Sequence, residues 1–280
     1  MKKLNYVVDI IIFKQNYDSY DVDIFLEYIP EINLYPSKYN FFMPNPELYE
    51  YDKYFDRIQA VDAILCKTKI CHDIFSKFHD NCIYTKFMTN IPKEIRTKEY
   101  NKDSNTIIHF AGKSWMKNTK YLLKVWKYND GFMHIDPNIK LYVTCYNFCL
   151  KGIDRNNLPK KLKLYDRKIE NDEHFGLLMK ANVSFNFSEA GGYIILNYID
   201  ESRFFDTFII TIDSPPTNEF IKDNGILLKK FNKENIKNME GLYKVYPDMN
   251  ELKSTIEYVI KNKNNLSYTG REYFLEDKQF

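Results

Sequence analysis

A chain of 280 residues has room for one large or two modest domains, and 44% hydrophobic residues suffice to bury a real core. The 16% aromatic content and a formal net charge of only +2, from 40 basic against 38 acidic residues, exclude a mostly disordered chain and argue against a dedicated nucleic-acid binder. Lysine far outnumbers arginine, which occurs only at Arg57, Arg96, Arg155, Arg167, Arg203 and Arg271, a usage that reads as the codon bias of an AT-rich genome.

The apolar stretch 6–13 follows Lys2 and Lys3, is too short to span a membrane and is broken by Asp9. No small-residue cleavage site follows it, so neither a transmembrane segment nor a signal peptide is expected. The five cysteines, at 66, 71, 82, 145 and 149, have neither metal-site nor disulfide-framework spacing and read as small buried thiols. The expectation is a cytoplasmic protein.

Short apolar runs alternate with helical patterns along the chain, the mark of parallel α/β architecture. Strands are predicted at 6–13, 22–29, 61–66 and 82–86, with helices over 47–57 and 68–79, the second opening at Thr68 as its N-cap. The polar, aperiodic segment 87–104 with Pro92 reads as a linker. Strand 105–110 then leads through Gly112 into helix 118–128, followed by strands 139–144 and 161–165. Helix 171–180, strand 182–187, helix 194–205, strand 207–212, a short helix from Pro216, strand 225–228 and an amphipathic helix 248–262 complete the series. Two α/β halves joined by one linker predict two Rossmann-like doubly wound domains facing across a cleft. Their expected spans are 1–95 and 96–262, with a tail over 263–280 that can return to the first domain.

In such sheets ligands bind beyond the carboxyl ends of the strands. The loop after 105–110 carries His109, Gly112, Lys113 and Lys117 ahead of a helix start: a glycine for a close turn, and two lysines four apart for an anion such as a diphosphate. A surface turn with solvated lysines is the alternative. After 182–187 come Ser188, Glu189, Ala190, Gly191, Gly192 and Tyr193, then Glu201 on the following helix. After 207–212 come Asp213, Pro215, Pro216, Asn218 and Glu219. Glycines, carboxylates and a proline-started helix at successive strand ends suit a sugar nucleotide.

The runs 107–119 (IIHFAGKSWMKNT), 188–203 (SEAGGYIILNYIDESR) and 208–219 (FIITIDSPPTNE) together resemble the nucleotide-sugar domain of GT-B glycosyltransferases of the retaining, metal-independent group with an E-x7-E motif. The segment 61–75 and the Asn45-Pro46-Glu47 triplet are similar to that group's acceptor-side domain. The resemblance covers roughly residues 40–230. It implies a donor diphosphate clamped by Lys113 and Lys117 after Gly112, ribose hydroxyls on Glu201, and a sugar and phosphate turn at Ser188, Gly192 and Tyr193. It also implies a donor-side stretch at Asp213, Asn218 and Glu219. The substrates it implies are a nucleotide sugar and a glycan or other hydroxyl acceptor, with no cofactor and no metal.

Gly191 stands where the group has its first motif glutamate. Glu189 is the nearest carboxylate and, with His109, the candidate catalytic residue, although a structural histidine capping the end of its strand is an equal reading of His109. A second reading is a catalytically degenerate protein that binds a nucleotide sugar or a partner without turnover. Asp21-Val22-Asp23 forms a D-x-D, the metal signature of another glycosyltransferase fold, but it begins an apolar strand where that signature should end one. His72, His79, His134 and His174 lack ligand spacing and read as surface or helix-face residues. The aromatic run 39–55 fits an acceptor-sugar surface or packing beneath the linker equally well.

Overall fold

The computed structural model describes residues 20–29, 37–46, 51–147, 152–187, 196–235 and 243–277. The strand expected at 6–13 lies outside them.

The first unit is a parallel sheet in the order β1 (Val22–Leu26), β2 (Tyr39–Met43), β3 (Ala63–Cys66), β4 (Cys82–Tyr84). Helix α1 (Tyr51–Gln59) joins β2 to β3, and α2 (Lys69–Phe75) joins β3 to β4. Helix α2 starts where Thr68 predicts it. Thr68 is extended and its Oγ1 accepts from the Cys71 amide at 3.2 Å, satisfying one of the free donors of a helix start. Part of the aromatic run at 39–55 proves to be β2: Phe42 is fully buried edge-on against Phe75 while Tyr39 and Phe41 stack on the opposite face.

The segment 87–104 lies between the two sheets. It holds a single-turn helix α3 (Lys93–Arg96), and β5 (Asp103–Gly112) already begins inside it. The second sheet is parallel throughout. It also contains β6 (Lys140–Cys145), β7 (Leu162–Tyr165), β8 (Ala181–Phe185), β9 (Phe208–Ile212) and β10 (Gly225–Leu228), in the order β10-β9-β8-β5-β6-β7. Helices α4 (Thr119–Tyr128), α5 (Asn171–Lys180) and α6 (Leu196–Phe204) form the crossovers. An antiparallel hairpin of β11 (Phe231–Asn235) and β12 (Tyr243–Pro247), then α7 (Met249–Lys261) and α8 (Gly270–Asp277), complete the chain.

Alternation along β5 sends Ile107 and Ala111 into one core and Ile108 and Phe110 into another. The first core lies under α4 and α7, where Leu252, Ile256, Val259 and Ile260 are buried as their spacing predicts. The second lies under α5, α6 and α8. A third core joins the two units: Phe42, Ile64 and Phe75 of the first pack with Leu196, Ile199, Ile209 and Phe220 of the second.

Charged groups reinforce that junction. Asp200 on α6 accepts from the Thr89 amide at 2.9 Å and pairs with Arg203 at 2.9 Å. Arg203 pairs in turn with Asp277 of α8 at 2.5 Å, and Asp277 also takes Lys86, just past β4. Helix α8 is therefore held by charge as well as by Phe274, which is fully buried against Phe204. Cys66, Cys71 and Cys82 are free thiols, but Cys145 is disulfide-bonded, which corrects the reading of all five cysteines as thiols. Among the described residues no helix is long and apolar enough to cross a membrane.

Asp200 and Arg203 are almost wholly buried, so removing one partner strands a charge in the interior. Arg203→Ala should lower unfolding stability by about 3–5 kcal/mol, measured by urea denaturation. A loss below about 1 kcal/mol, the range of exposed pairs, would contradict the assignment.

Candidate functional site

The strand order reverses at β5. From there β6 and β7 extend one way while β8, β9 and β10 extend the other, so the crevice of the sheet opens at the carboxyl ends of β5 and β8. Gly112 ends β5 with φ +60, a conformation costly for any side chain, and the β5–β6 register shifts between Phe110 and Gly112. A single 3₁₀ turn at Trp115–Lys117 follows, then Asn118 in the left-handed region at φ 54, then α4. Asn118 tolerates that backbone and ties it down by donating from Nδ2 to the Val245 carbonyl at 3.0 Å.

The two lysines of this loop have different surroundings. Lys113 is exposed. Lys117 is only 3% exposed: its ammonium donates to the Phe110 carbonyl at 3.1 Å and lies 3.8 Å from the centroid of the Tyr198 ring. Burial lowers its pKa to about 7, against the opposing pull of the Glu201 carboxylate. Tyr198 also lies beside Gly112, where an added Cβ would meet its hydroxyl at 3.8 Å, and burial pushes that phenol up to about 12.

Glu201 sits one turn beyond Tyr198 on α6, and its Oε2 accepts from Nε2 of His174 at 2.7 Å. The structure thus gathers Gly112, Lys117, Tyr198, Glu201 and His174 at one strand end. Gly112, Lys117 and Glu201 are legible in the sequence. Tyr198 can be found from its i,i+3 spacing to Glu201, but His174 lies 27 positions from its partner and carries no such signal.

Four expected site residues have other duties. His109 is fully enclosed, donating from Nδ1 to the Phe185 carbonyl at 2.9 Å and accepting at Nε2 from the Thr119 hydroxyl at 2.9 Å. The carbonyl can only accept, which fixes the tautomer, and burial lowers the imidazole pKa to about 4. With both nitrogens engaged it is a neutral brace between β5, β8 and α4, a correction to its candidacy as a catalytic residue. Glu219, expected at the donor, instead accepts from the Lys69 and Ile70 amides of α2 at 2.8 and 3.0 Å, clasping the two units together. Asn218 donates to Asp213 at 2.9 Å, closing their loop on itself. Ser188, Glu189, Gly191, Gly192 and Tyr193 lie outside the described residues.

Asp23 is the second residue of β1, and Asp21 precedes that strand, so the D-x-D does not end one. Among the described residues no group of three or more His, Cys, Asp or Glu side chains could hold a metal ion. A desolvated ammonium and a carboxylate flanking an aromatic ring can hold an anion next to a hydroxyl-bearing group.

Solved structures share this architecture. TarM superposes with a TM-score of 0.63 at 15% identity over 87% of this chain and 48% of its own. The pneumococcal O-GlcNAc transferase GtfA, in complex with UDP and GlcNAc, gives 0.54 at 11% identity over 86% of this chain and 49% of its own. HepE of Anabaena, in complex with UDP and glucose, gives 0.57 at 12% identity over 86% and 67%. The chain spans about half the length of TarM and GtfA. No protein-family model and no curated protein sequence matches it. The fold is that of the GT-B glycosyltransferases, with two Rossmann-like sheets.

Lys117 has an ordinary pKa of 10.5 and about 7 in the fold, so between those values the unfolded chain binds more protons and stability rises with pH. From pH 7 to 8.5 the wild type should gain stability relative to Lys117→Met with a slope of up to about 1.4 kcal/mol per pH unit, read from urea unfolding. Parallel pH profiles would mean that the ammonium is not desolvated. Glu219→Ala should accelerate hydrogen exchange at the Lys69 and Ile70 amides, whereas unchanged rates would remove Glu219 from the clasp.

Proposed function

We propose that the chain is a glycosyltransferase, moving a sugar from a nucleotide-sugar donor to a hydroxyl of a glycan or other acceptor, with retention and without a metal. The observation that carries this reading is the buried Lys117 ammonium, resting on Tyr198 beside Glu201 at the switch point of the GT-B sheet. That GtfA and HepE hold UDP together with a sugar supports a nucleoside diphosphate as the anion.

In this reading the Lys117 ammonium faces the diphosphate and Lys113 adds a second cation from solvent. Negative charge grows on the departing nucleoside diphosphate as the glycosidic bond breaks. A cation already desolvated and held by protein stabilises it without reorganising water. A bound diphosphate would also keep Lys117 protonated, although its free pKa lies near neutrality. Glu201 accepts the ribose hydroxyls, and Gly112 gives the backbone close approach to phosphate. Positive charge on the transferred sugar, oxocarbenium-like in the transition state, calls for a carboxylate nearby, and Glu189 is assigned that place. The first sheet and the Glu219 clasp supply the wall that excludes water from the cleft.

Gly191, at the position of the motif's first glutamate, favours a second reading in which nucleotide sugar binds without turnover. One experiment separates the two: release of nucleoside diphosphate from a panel of sugar nucleotides, without added metal, by wild type, Glu189→Gln and Glu201→Ala. The transferase reading expects release by the wild type, slowed by Glu189→Gln with binding intact. Binding without release in all three proteins selects the degenerate reading. Turnover that requires metal and is lost on changing Asp21 and Asp23 rejects the metal-independent assignment. Lys113→Ala or Lys117→Ala should each weaken nucleoside-diphosphate binding by about 1.5–3 kcal/mol, measured calorimetrically.

A further inference from the structure

We propose that His174 is a positioning residue for the donor's ribose, acting through Glu201. The inference rests on the reading above, in which Glu201 accepts the ribose hydroxyls, and it adds the group that aims that carboxylate.

The Glu201 side chain is 12% exposed and that of His174 15%, so their 2.7 Å contact is sheltered from water. A carboxylate so enclosed needs a donor, and His174 Nε2–H supplies one to Oε2. The imidazole cannot swing freely. Phe110 lies 4.4 Å from it, Phe175 5.2 Å and Tyr198 5.7 Å, centroid to centroid, so three rings from β5, α5 and α6 hold it. Phe110 also supplies the carbonyl that takes the Lys117 ammonium, and Tyr198 supplies the ring beneath that ammonium. One aromatic cluster therefore sets both the cation meant for the diphosphate and the histidine that holds the carboxylate meant for the ribose.

Position in the fold agrees. Helix α5 follows β7, and His174 lies in its first turn, at the carboxyl end of the sheet where ligands enter. A glutamate on a helix face has several rotamers, and a hydrogen bond to a caged imidazole selects one of them. With Oε2 committed to His174, Oε1 is the oxygen offered to the ribose.

The test is calorimetric binding of the nucleoside diphosphate that the wild type prefers, beside its 2′,3′-dideoxy analogue. His174→Phe keeps an aromatic ring in the cage and removes the donor, with His174→Leu as substitute if the larger ring unfolds the protein. His174→Gln restores an N–H at similar reach. The expected result is roughly tenfold or greater loss of affinity for the ribonucleotide in His174→Phe, the scale of one hydrogen bond to a charged group. Affinity for the dideoxy analogue should change less than about twofold, His174→Gln should recover most of the loss, and His174→Phe should add nothing in a Glu201→Ala background. Equal loss for both ligands would make the residue merely structural and overturn the inference. So would full ribonucleotide affinity in His174→Phe while Glu201→Ala loses it. If Glu201→Ala leaves the preference for ribose unchanged, or the wild type has none, the ribose assignment of Glu201 itself fails and the inference falls with it.

Discussion

Strand β5 is buried on both faces, so His109, Lys117 and Asn118, the buried polar side chains at and just beyond its carboxyl end, take their partners from inside the protein. The site follows from how that demand is met. His109 bridges to β8 and α4, Lys117 turns back on the Phe110 carbonyl and the Tyr198 ring, and Asn118 reaches across to β12. The lysine is the least comfortable of the three. It gives up water for one carbonyl, one ring and the pull of the Glu201 carboxylate, and its pKa falls toward neutrality as a result. A group left short of countercharge at the switch point of a parallel sheet is suited to receive an anion.

The same physics operates elsewhere without a site in view. Lys102 is largely buried and donates to the Leu178 and Ala181 carbonyls and the Thr207 hydroxyl, and burial lowers its pKa to about 7 as well. It fastens the end of α5 to the starts of β8 and β9, at the amino end of the strands, where ligands do not enter. A perturbed lysine is thus evidence of function only together with its place in the fold.

Coupling between the two sheets is carried by several kinds of contact at once. An apolar core spans them, Glu219 caps α2 from the opposite unit, and the Asp200–Arg203–Asp277–Lys86 chain binds α6, α8 and the segment beyond β4. Because Asp200 and Arg203 share α6 with Tyr198 and Glu201, the helix that presents the site is also the helix that holds the units together.

Much of the architecture was legible from pattern alone. Helix α5 occupies 171–180 as periodicity predicts, α2 begins at the Thr68 cap, and the strands of the second sheet lie within two residues of their expected bounds. These are local matters: side-chain alternation, helical spacing and capping are set by neighbours within a few positions. Gly112 and Lys117 after β5, and Glu201 on α6, were legible for the same reason. What escaped were elements whose stability is borrowed. Strand β2 hides in an aromatic run that Phe75 and the neighbouring strands organise, and α8 has little apolar periodicity and is held by Phe204, Arg203 and Lys86. The duties of His109, His174 and Glu219 depend on partners 10 to 150 residues away. The sequence by itself determined the α/β class, the alternation of strands and helices in the second sheet, and the strand ends to which Gly112, Lys117 and Glu201 belong. Tertiary structure alone decided which polar groups in those loops remain available to a ligand, because a buried donor or acceptor is claimed by whatever partner the packed fold brings within reach.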